Sequence, residues 1–529
     1  MSVMLAFMLF FYTSYVGERV GAEGAGRQGP PSREYPKESE VSAIITSDFF
    51  GVQAIGQTAQ QVENMHAAFS AMREMGVGYI VVDPSIWTRM EPDPPSKGVH
   101  RYRWDEEDIK YKVAKEYGFK VQAMLQCRSN WATTHREKDA DENCCDTFPL
   151  KPGHEGDWRA FVKAYVERYY EYGLREITIG NEISSPSHFF VYGGNLKNYG
   201  VILSNAYKGA KEANADVAVA SGFMNFGAVF DGNPREELIK RGKIYAFVRG
   251  LIADYSESFD SLPTQFNDSY VGIEPMHRML DGWMLELGVR KPISCEHARS
   301  TQFRRKNSPL PPYYPDESPK DGVEDILRIL SKPGHPDYNR SKKLFFADQA
   351  RETVRKLTTA LAAGREKIFI ALSADPQDCS GRALWPADWQ FTGLIETKYY
   401  CESRDSIGAR KPAYYSYKLF IEKVLGASRE VESLNVGKNI HAYRFARDGK
   451  SFLVIWHHDL FDTDQKGLIR RNQSRTVDLS SHVQRQQLKI TRIVTELDKD
   501  REPIYSAEVV VFADSVTIDE TPVFAEEVQ

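Results

Sequence analysis

The sequence predicts an α/β chain in which eight strand–helix units close into a (β/α)8 TIM barrel, followed by a C-terminal antiparallel β-sandwich. Two observations carry this prediction. Between about residues 45 and 426, short apolar runs alternate with stretches whose apolar residues recur at helical spacing, the mark of parallel βαβ units. From Ala427 onward the helical spacing stops, and only short β-type runs between polar turns remain. An open doubly wound sheet is the competing arrangement. It usually carries a glycine-rich turn after an early strand, and the sequence has none.

The elements follow in order. Phe49 to Gln53 reads as a strand, and Thr58-Ala-Gln-Gln61 has the form of a capping box ahead of Val62, Met65, Phe69 and Met72 at helical spacing. The next strand is Gly78 to Asp83, the next helix Asp105 to Tyr117, and Phe119 to Leu125 the third strand. Trp158, Phe161, Val162, Tyr165, Val166 and Tyr169 fall on one helical face, which reads as core packing rather than as a ligand surface. The strand Arg175 to Gly180 follows and ends in Asn181-Glu182. Strands over Asp216–Gly222, Phe259–Phe266, Lys291–Ala298 and Glu366–Asp375 alternate with helices over Lys243–Tyr255, Glu274–Gly288, Phe345–Gly364 and Lys411–Gly426. Six β-type runs fill the remainder, and the role expected of them is to cap or brace the barrel. The predicted divisions are a signal peptide over residues 1–22, a linker over 23–44, the barrel over 45–426 and the sandwich over 427–529.

Composition bounds the function. The chain has 529 residues, 42% hydrophobic and 27% charged, with a net charge of −5, the balance of a globular protein. No basic stretch with interleaved aromatics suggests nucleic acid. The apolar run Val3–Val16 is too short to span a bilayer and has the length of a signal-peptide core, with small residues at Gly21-Ala22 for cleavage. A secreted, periplasmic or extracellular location is therefore expected, although basic residues ahead of the run are missing. No other segment reads as membrane-spanning. The six cysteines show no metal-ligand spacing. In an exported chain Cys127 would pair with Cys144 or Cys145, and Cys379 with Cys401. Asn267, Asn339 and Asn472 open glycosylation triplets, which matter only in a eukaryotic secretory pathway.

Chemistry in a parallel barrel gathers at the carboxyl ends of its strands. The fourth predicted strand ends in Asn181-Glu182 and the seventh in Cys295-Glu296-His297, on opposite sides of the mouth. Two facing carboxyl groups suit glycoside hydrolysis: one protonates the leaving oxygen and the other attacks the anomeric carbon. Neither a metal nor an organic cofactor is needed. Cys295 alternates with Glu296 and is expected to point into the packing. Each glutamate alone reads equally well as a solvated strand end or an ion-pair partner.

These residues resemble glycoside hydrolase clan A, the retaining (β/α)8 glycosidases, and within it the family of β-xylosidases and α-L-iduronidases, whose members also attach a β-sandwich. A second match lies after strand two, where Trp87, Glu91-Pro92, Gly98, Tyr102, Trp104 and Asp108 repeat a run found in many clan members. The resemblance implies Glu182 as acid/base, Glu296 as nucleophile, Asn181 as partner of the sugar 2-hydroxyl, and a carbohydrate substrate. Val82 stands where an arginine often sits, and Gln265-Phe266-Asn267 replaces the usual His-x-Tyr. Trp87, Trp131, Trp385 and Trp389 follow strands two, three and eight and are expected as stacking platforms for sugar rings, with Gln265 and Asn267 as further substrate contacts. His188 and His297 are expected to support the carboxyl groups from behind. The long loop after Arg299, with Arg304 to Lys306, hints at an anionic sugar, against the plainer reading of a solvated charge run. A carbohydrate-binding relative without turnover, a transglycosylase using the same intermediate, and a structural barrel without either activity are the alternatives.

Overall fold

The computed structural model describes residues 44–528, except 55–61, 135–146, 185–195, 226–242, 267–269, 300–328, 331–333, 376–390, 398–406, 459–473, 484–486 and 512–514. Strands buried on both faces form a parallel sheet: β1 (Phe50–Gln53), β2 (Tyr79–Ile86), β3 (Lys120–Gln126), β4 (Leu174–Ile179), β5 (Ala218–Ala220), β6 (Met224–Asn225), β7 (Leu262–Phe266), β8 (Ile293–Arg299) and β9 (Ile368–Ala371). Their order is β5-β4-β3-β2-β1-β9-β8-β7-β6. β5 pairs with β4 and β6 with β7, and a further parallel bridge joins Ala220 to Ser261. β5 and β6 are thus two pieces of one interrupted fifth strand, and eight strands close the barrel. The seventh barrel strand is β8 and the eighth β9.

The predicted helices form at Val62–Met75, Asp105–Glu116, Glu155–Tyr169, Lys243–Tyr255, Ile273–Glu286, Tyr338–Ala362 and Pro412–Val424. A further helix, Leu196–Ala213, lies between the fourth and fifth strands. It buries Tyr199, Ile202, Leu203 and Ala206 at helical spacing, a stripe that sequence reading passed over because two asparagines and two glycines interrupt it. The main core lies between strands and helices and holds Val121, Ala123, Leu125 and Cys127 from the outward face of the third strand, with Cys295 and Ala298 from the seventh. Inside the barrel Tyr79, Val81 and Phe369 form a small apolar cluster. Gly51 is required there, because a Cβ would sit 2.3 Å from the Phe369 ring.

Besides a register shift on β2 between Val82 and Ser85, two bulges set which residues face the bore beside the carboxyl groups. On β3–β4 the pairing runs Val121↔Leu174 and then Gln122↔Glu176, so Arg175 is an extra residue and Glu176 turns inward. On β8 the register passes from Gln265↔Glu296 to Phe266↔Ala298, with one extra residue beside Glu296. Bulges re-aim side chains in this way and occur often beside functional sites.

After a short hairpin, β10 (Ile395–Thr397) with β11 (Ile407–Arg410), the chain forms antiparallel layers. β12 (Glu432–Leu434), β13 (Ile440–Arg447), β14 (Lys450–His457), β16 (Gln487–Arg492), β17 (Ser506–Val511) and β19 (Val523–Glu527) make a six-stranded sheet. β15 (Arg475–Asp478) and β18 (Ser515–Ile518) pair as a second, two-stranded sheet. Phe445, Phe452, Val454, Trp456 and Phe524 of the large sheet join the barrel core, while Leu453, Ile455, Leu488, Ile490 and Val523 pack with Val477, Leu479, Val516 and Ile518 of the small one. Residues 42–529 accordingly form one compact unit. No described helix is long and apolar enough to cross a membrane.

Candidate active site

Glu182 sits in a turn built by its neighbours. Gly180 and Glu182 both take positive φ, +86° and +44°; glycine tolerates this, whereas a glutamate held there is strained. The turn is clamped from both sides. Gly180 N–H donates to the Leu125 carbonyl and Ile183 N–H to the Phe223 carbonyl. The Tyr199 hydroxyl donates to the Ile179 carbonyl at 2.8 Å and accepts from Gly222 N–H at 2.6 Å. Gly222 passes so close that a Cβ would lie 2.3 Å from the Ile183 side chain and 2.6 Å from the Ile179 carbonyl.

Glu296 lies deeper. It is the fourth residue of β8, fully buried (0% exposed). The Ser294 hydroxyl donates to Oε1 at 2.6 Å and the Gln122 amide to Oε2 at 2.5 Å. The same amide donates to Glu176 Oε1 at 3.3 Å, as does the Ser261 hydroxyl at 3.3 Å. The Lys367 ammonium pairs with the other Glu176 oxygen. Burial, and next the neighbouring Glu176 charge, push the Glu296 carboxyl up to about 8, so it is mostly protonated at neutral pH. Burial is the largest influence on Lys367 and acts to lower its value, but Glu176 first, with Tyr79, Glu366 and Glu296, together outweigh it and hold the ammonium well above the usual lysine range. Cys295 points the other way, into the outer core, and burial raises its thiol to about 11.

Above this cluster the bore is lined with amides and hydroxyls. Gln53 Oε1, Gln126 Nε2, Thr178 Oγ1, Asn181 Oδ1 and Gln265 Oε1 are all buried with no partner in the protein. Buried polar atoms are normally satisfied, so a ring of them suits water or a hydroxyl-bearing ligand. Gln265 is in register with Glu296.

Trp87 is a correction. It was expected to stack on a sugar, but it is 0% exposed. Its ring packs against Trp131, Trp158 and Phe161, and its indole N–H donates to Glu91 at 2.8 Å. The run from Trp87 to Asp108 is a packing motif. Glu91 is also held by His100 at 2.7 Å, Gly98 takes φ +75°, Tyr102 and Trp104 pack on each other and on Phe161, and Asp108 receives Arg168 through two bonds. Trp131 keeps partial exposure, with its N–H on the Glu91 carbonyl at 3.1 Å. Cys127, expected in a disulfide, is a buried free thiol. His188, Asn267, Trp385 and Trp389, the side chain of His297, and the remaining cysteines apart from Cys295 lie outside the described residues. Among the described residues no group of three or more His, Cys, Asp or Glu is arranged to hold a metal.

Gln122, Glu176, Ser294 and Lys367 were not singled out by sequence reading. The signal was present in strand three, where Gln122, Met124 and Gln126 alternate with Val121, Ala123 and Leu125. The Arg175 bulge, which brings Glu176 to the same place, leaves no such trace.

The fold and the carboxyl groups at its strand ends define a (β/α)8 barrel with an attached antiparallel sheet. Solved structures share that fold. The chain is similar to a GH39 β-xylosidase from Caulobacter crescentus (14% identity, TM-score 0.52, covering 92% of this chain and 97% of that one). It is similar also to the GH39 enzyme of Xanthomonas axonopodis pv. citri (14%, 0.52, 91% and 94%) and to a conserved exported protein from Bacteroides fragilis (10%, 0.54, 91% and 98%). No protein-family model matches the sequence, and no curated protein does.

Proposed function

We propose that the chain is a retaining glycoside hydrolase acting on an oligo- or polysaccharide, with Glu182 as acid/base and Glu296 as nucleophile. The observation that carries this reading is the strained, clamped Glu182 at the carboxyl end of the fourth strand of a barrel shared with β-xylosidases. Strain held at a polar side chain is a pointer to function. In the proposed reaction Glu182 gives its proton to the glycosidic oxygen, Glu296 forms the glycosyl intermediate, and water then releases the sugar with Glu182 as base. Asn181 Oδ1, buried and unpartnered, is suited to accept from the sugar 2-hydroxyl. Export through the N-terminal apolar run belongs to this proposal and is tested by sequencing the N-terminus of the secreted chain.

One observation favours a second reading, carbohydrate binding without turnover. A nucleophile must be ionised, whereas Glu296 is buried and held mostly protonated at neutral pH. A panel of aryl β-xyloside, glucoside, galactoside and glucuronide, followed by polymers, separates the two when run beside Glu182→Gln and Glu296→Gln. Hydrolysis by the wild type that both variants lose supports the enzyme. Sugar binding with no hydrolysis of any substrate supports the second reading.

A further inference from the structure

We infer that Lys367, Glu176 and Gln122 act as one unit that governs the charge and aim of Glu296. Gln122 is the link, since its single amide nitrogen donates to both carboxyl groups. The unit is assembled from three separate strand regions, and Glu176 joins it only because the Arg175 bulge turns it inward. Lys367 enters just before β9, its ammonium 5.2 Å from the Tyr79 ring centre. Every member is buried, where charges interact strongly and are poorly screened.

Two opposed charges then act on Glu296 from the same side. Glu176 disfavours its ionisation and Lys367 favours it. Other described titratable groups near the unit are Tyr79, a phenol that burial raises to about 12, Glu366, whose carboxyl burial raises and which interacts with both Lys367 and Glu176, and Cys295, which faces the outer core. Lys120, at the start of the third strand, lies 6.0 Å from the Tyr79 ring centre and pairs with Asp48, while Gln53, Gln126, Thr178 and Gln265 contribute only amides and a hydroxyl. Lys367 therefore reaches Glu296 mainly across the Glu176 carboxylate, and the balance between the two decides how far Glu296 ionises. If Glu296 is the nucleophile, which rests on the proposed function, these three are positioning residues that set the pH range of the reaction.

The test is infrared difference spectroscopy of the full chain across pH, following the carboxyl C=O band that Glu296→Gln abolishes. Glu176→Gln is expected to move the band's midpoint down by one pH unit or more, and Lys367→Met to move it up by a similar amount. Each leaves a buried charge alone and risks misfolding, so Glu176→Gln/Lys367→Met and Gln122→Leu are measured beside them. The double variant should titrate near the wild type, and Gln122→Leu, which removes a donor from the carboxylate, should titrate higher. An unmoved midpoint in Gln122→Leu and in every charge variant that folds overturns the inference. Shifted midpoints in a protein that hydrolyses no substrate leave the unit standing and remove the glycosidase reading. Where turnover occurs, the rising limb of kcat/KM should move in step with the band.

Discussion

At the scale of single residues, the two glutamates differ in their surroundings, and the difference is measurable. Glu296 gains its proton affinity from burial and Glu176, so its value is raised in the folded protein from 4.5 to about 8. The associated stability is fully present below the unfolded value and is lost as pH rises through the folded one. Glu296→Gln, free of this titration, should match the wild type near pH 4.5 and melt at progressively higher temperature than it as pH approaches 8. The divergence is at most about 1.4 kcal/mol per pH unit, and thermal melts across pH check it. If the enzyme reading holds, kcat/KM should climb with pH through about 8, because only the ionised carboxylate attacks. A limb near the ordinary carboxylate range would count against Glu296 as nucleophile. Glu182→Gln should lower kcat/KM by about 100- to 10,000-fold, the usual contribution of a positioned acid, without moving that limb. Glu182 and Glu296 could be named from sequence because their strands end in recognisable runs. The depth of Glu296 could not, since it depends on which amides from other strands reach it.

At the scale of elements, the turn over residues 180–183 depends on the interrupted fifth strand. Tyr199→Phe removes the hydroxyl that joins Ile179 to Gly222 and leaves a buried N–H and a carbonyl unpaired. A loss of about 1–3 kcal/mol is expected, with activity falling further than stability alone explains; denaturant titration and kinetics on the same sample separate the two. Gly222→Ala should be worse, because the new methyl meets the Ile179 backbone carbonyl, which cannot turn aside, as well as the buried Ile183 side chain. Strand and helix positions were legible because alternation and helical spacing record burial directly. The break in the fifth strand was not, since "DVAVASG" reads as one continuous strand. Trp87 shows the opposite failure. A tryptophan after a barrel strand looks like a platform, and only the packing of Trp131, Trp158 and Phe161 around it reveals a core residue. Trp87→Ala should cost about 3–5 kcal/mol and unfold the chain at lower denaturant, rather than raise KM alone.

At the scale of the whole molecule, the boundary near residue 427 marks a change of architecture but not of core. Tyr270 after β7 receives the Trp456 indole N–H at 3.1 Å and bonds His441 and His458 at 2.9 and 3.0 Å. The Arg355 side chain reaches the Glu520 carbonyl. A chain cut after Gly426 exposes the barrel surface that Phe445, Phe452, Trp456 and Phe524 cover. Expression of that fragment should give aggregate, and calorimetry of the intact protein a single transition. The brace expected of the C-terminal strands matches this packing. It also bears on recruitment of a polymer, a task often given to an appended sheet. In β14 and β19 alternate side chains are buried on both sides, against the barrel on one and the β15–β18 pair on the other. These two strands have no broad surface left on which a polysaccharide chain can lie, so any anchoring by this half of the molecule falls to its other strands, such as β12, β15, β16 and β17 with their exposed side chains, or to its connecting loops.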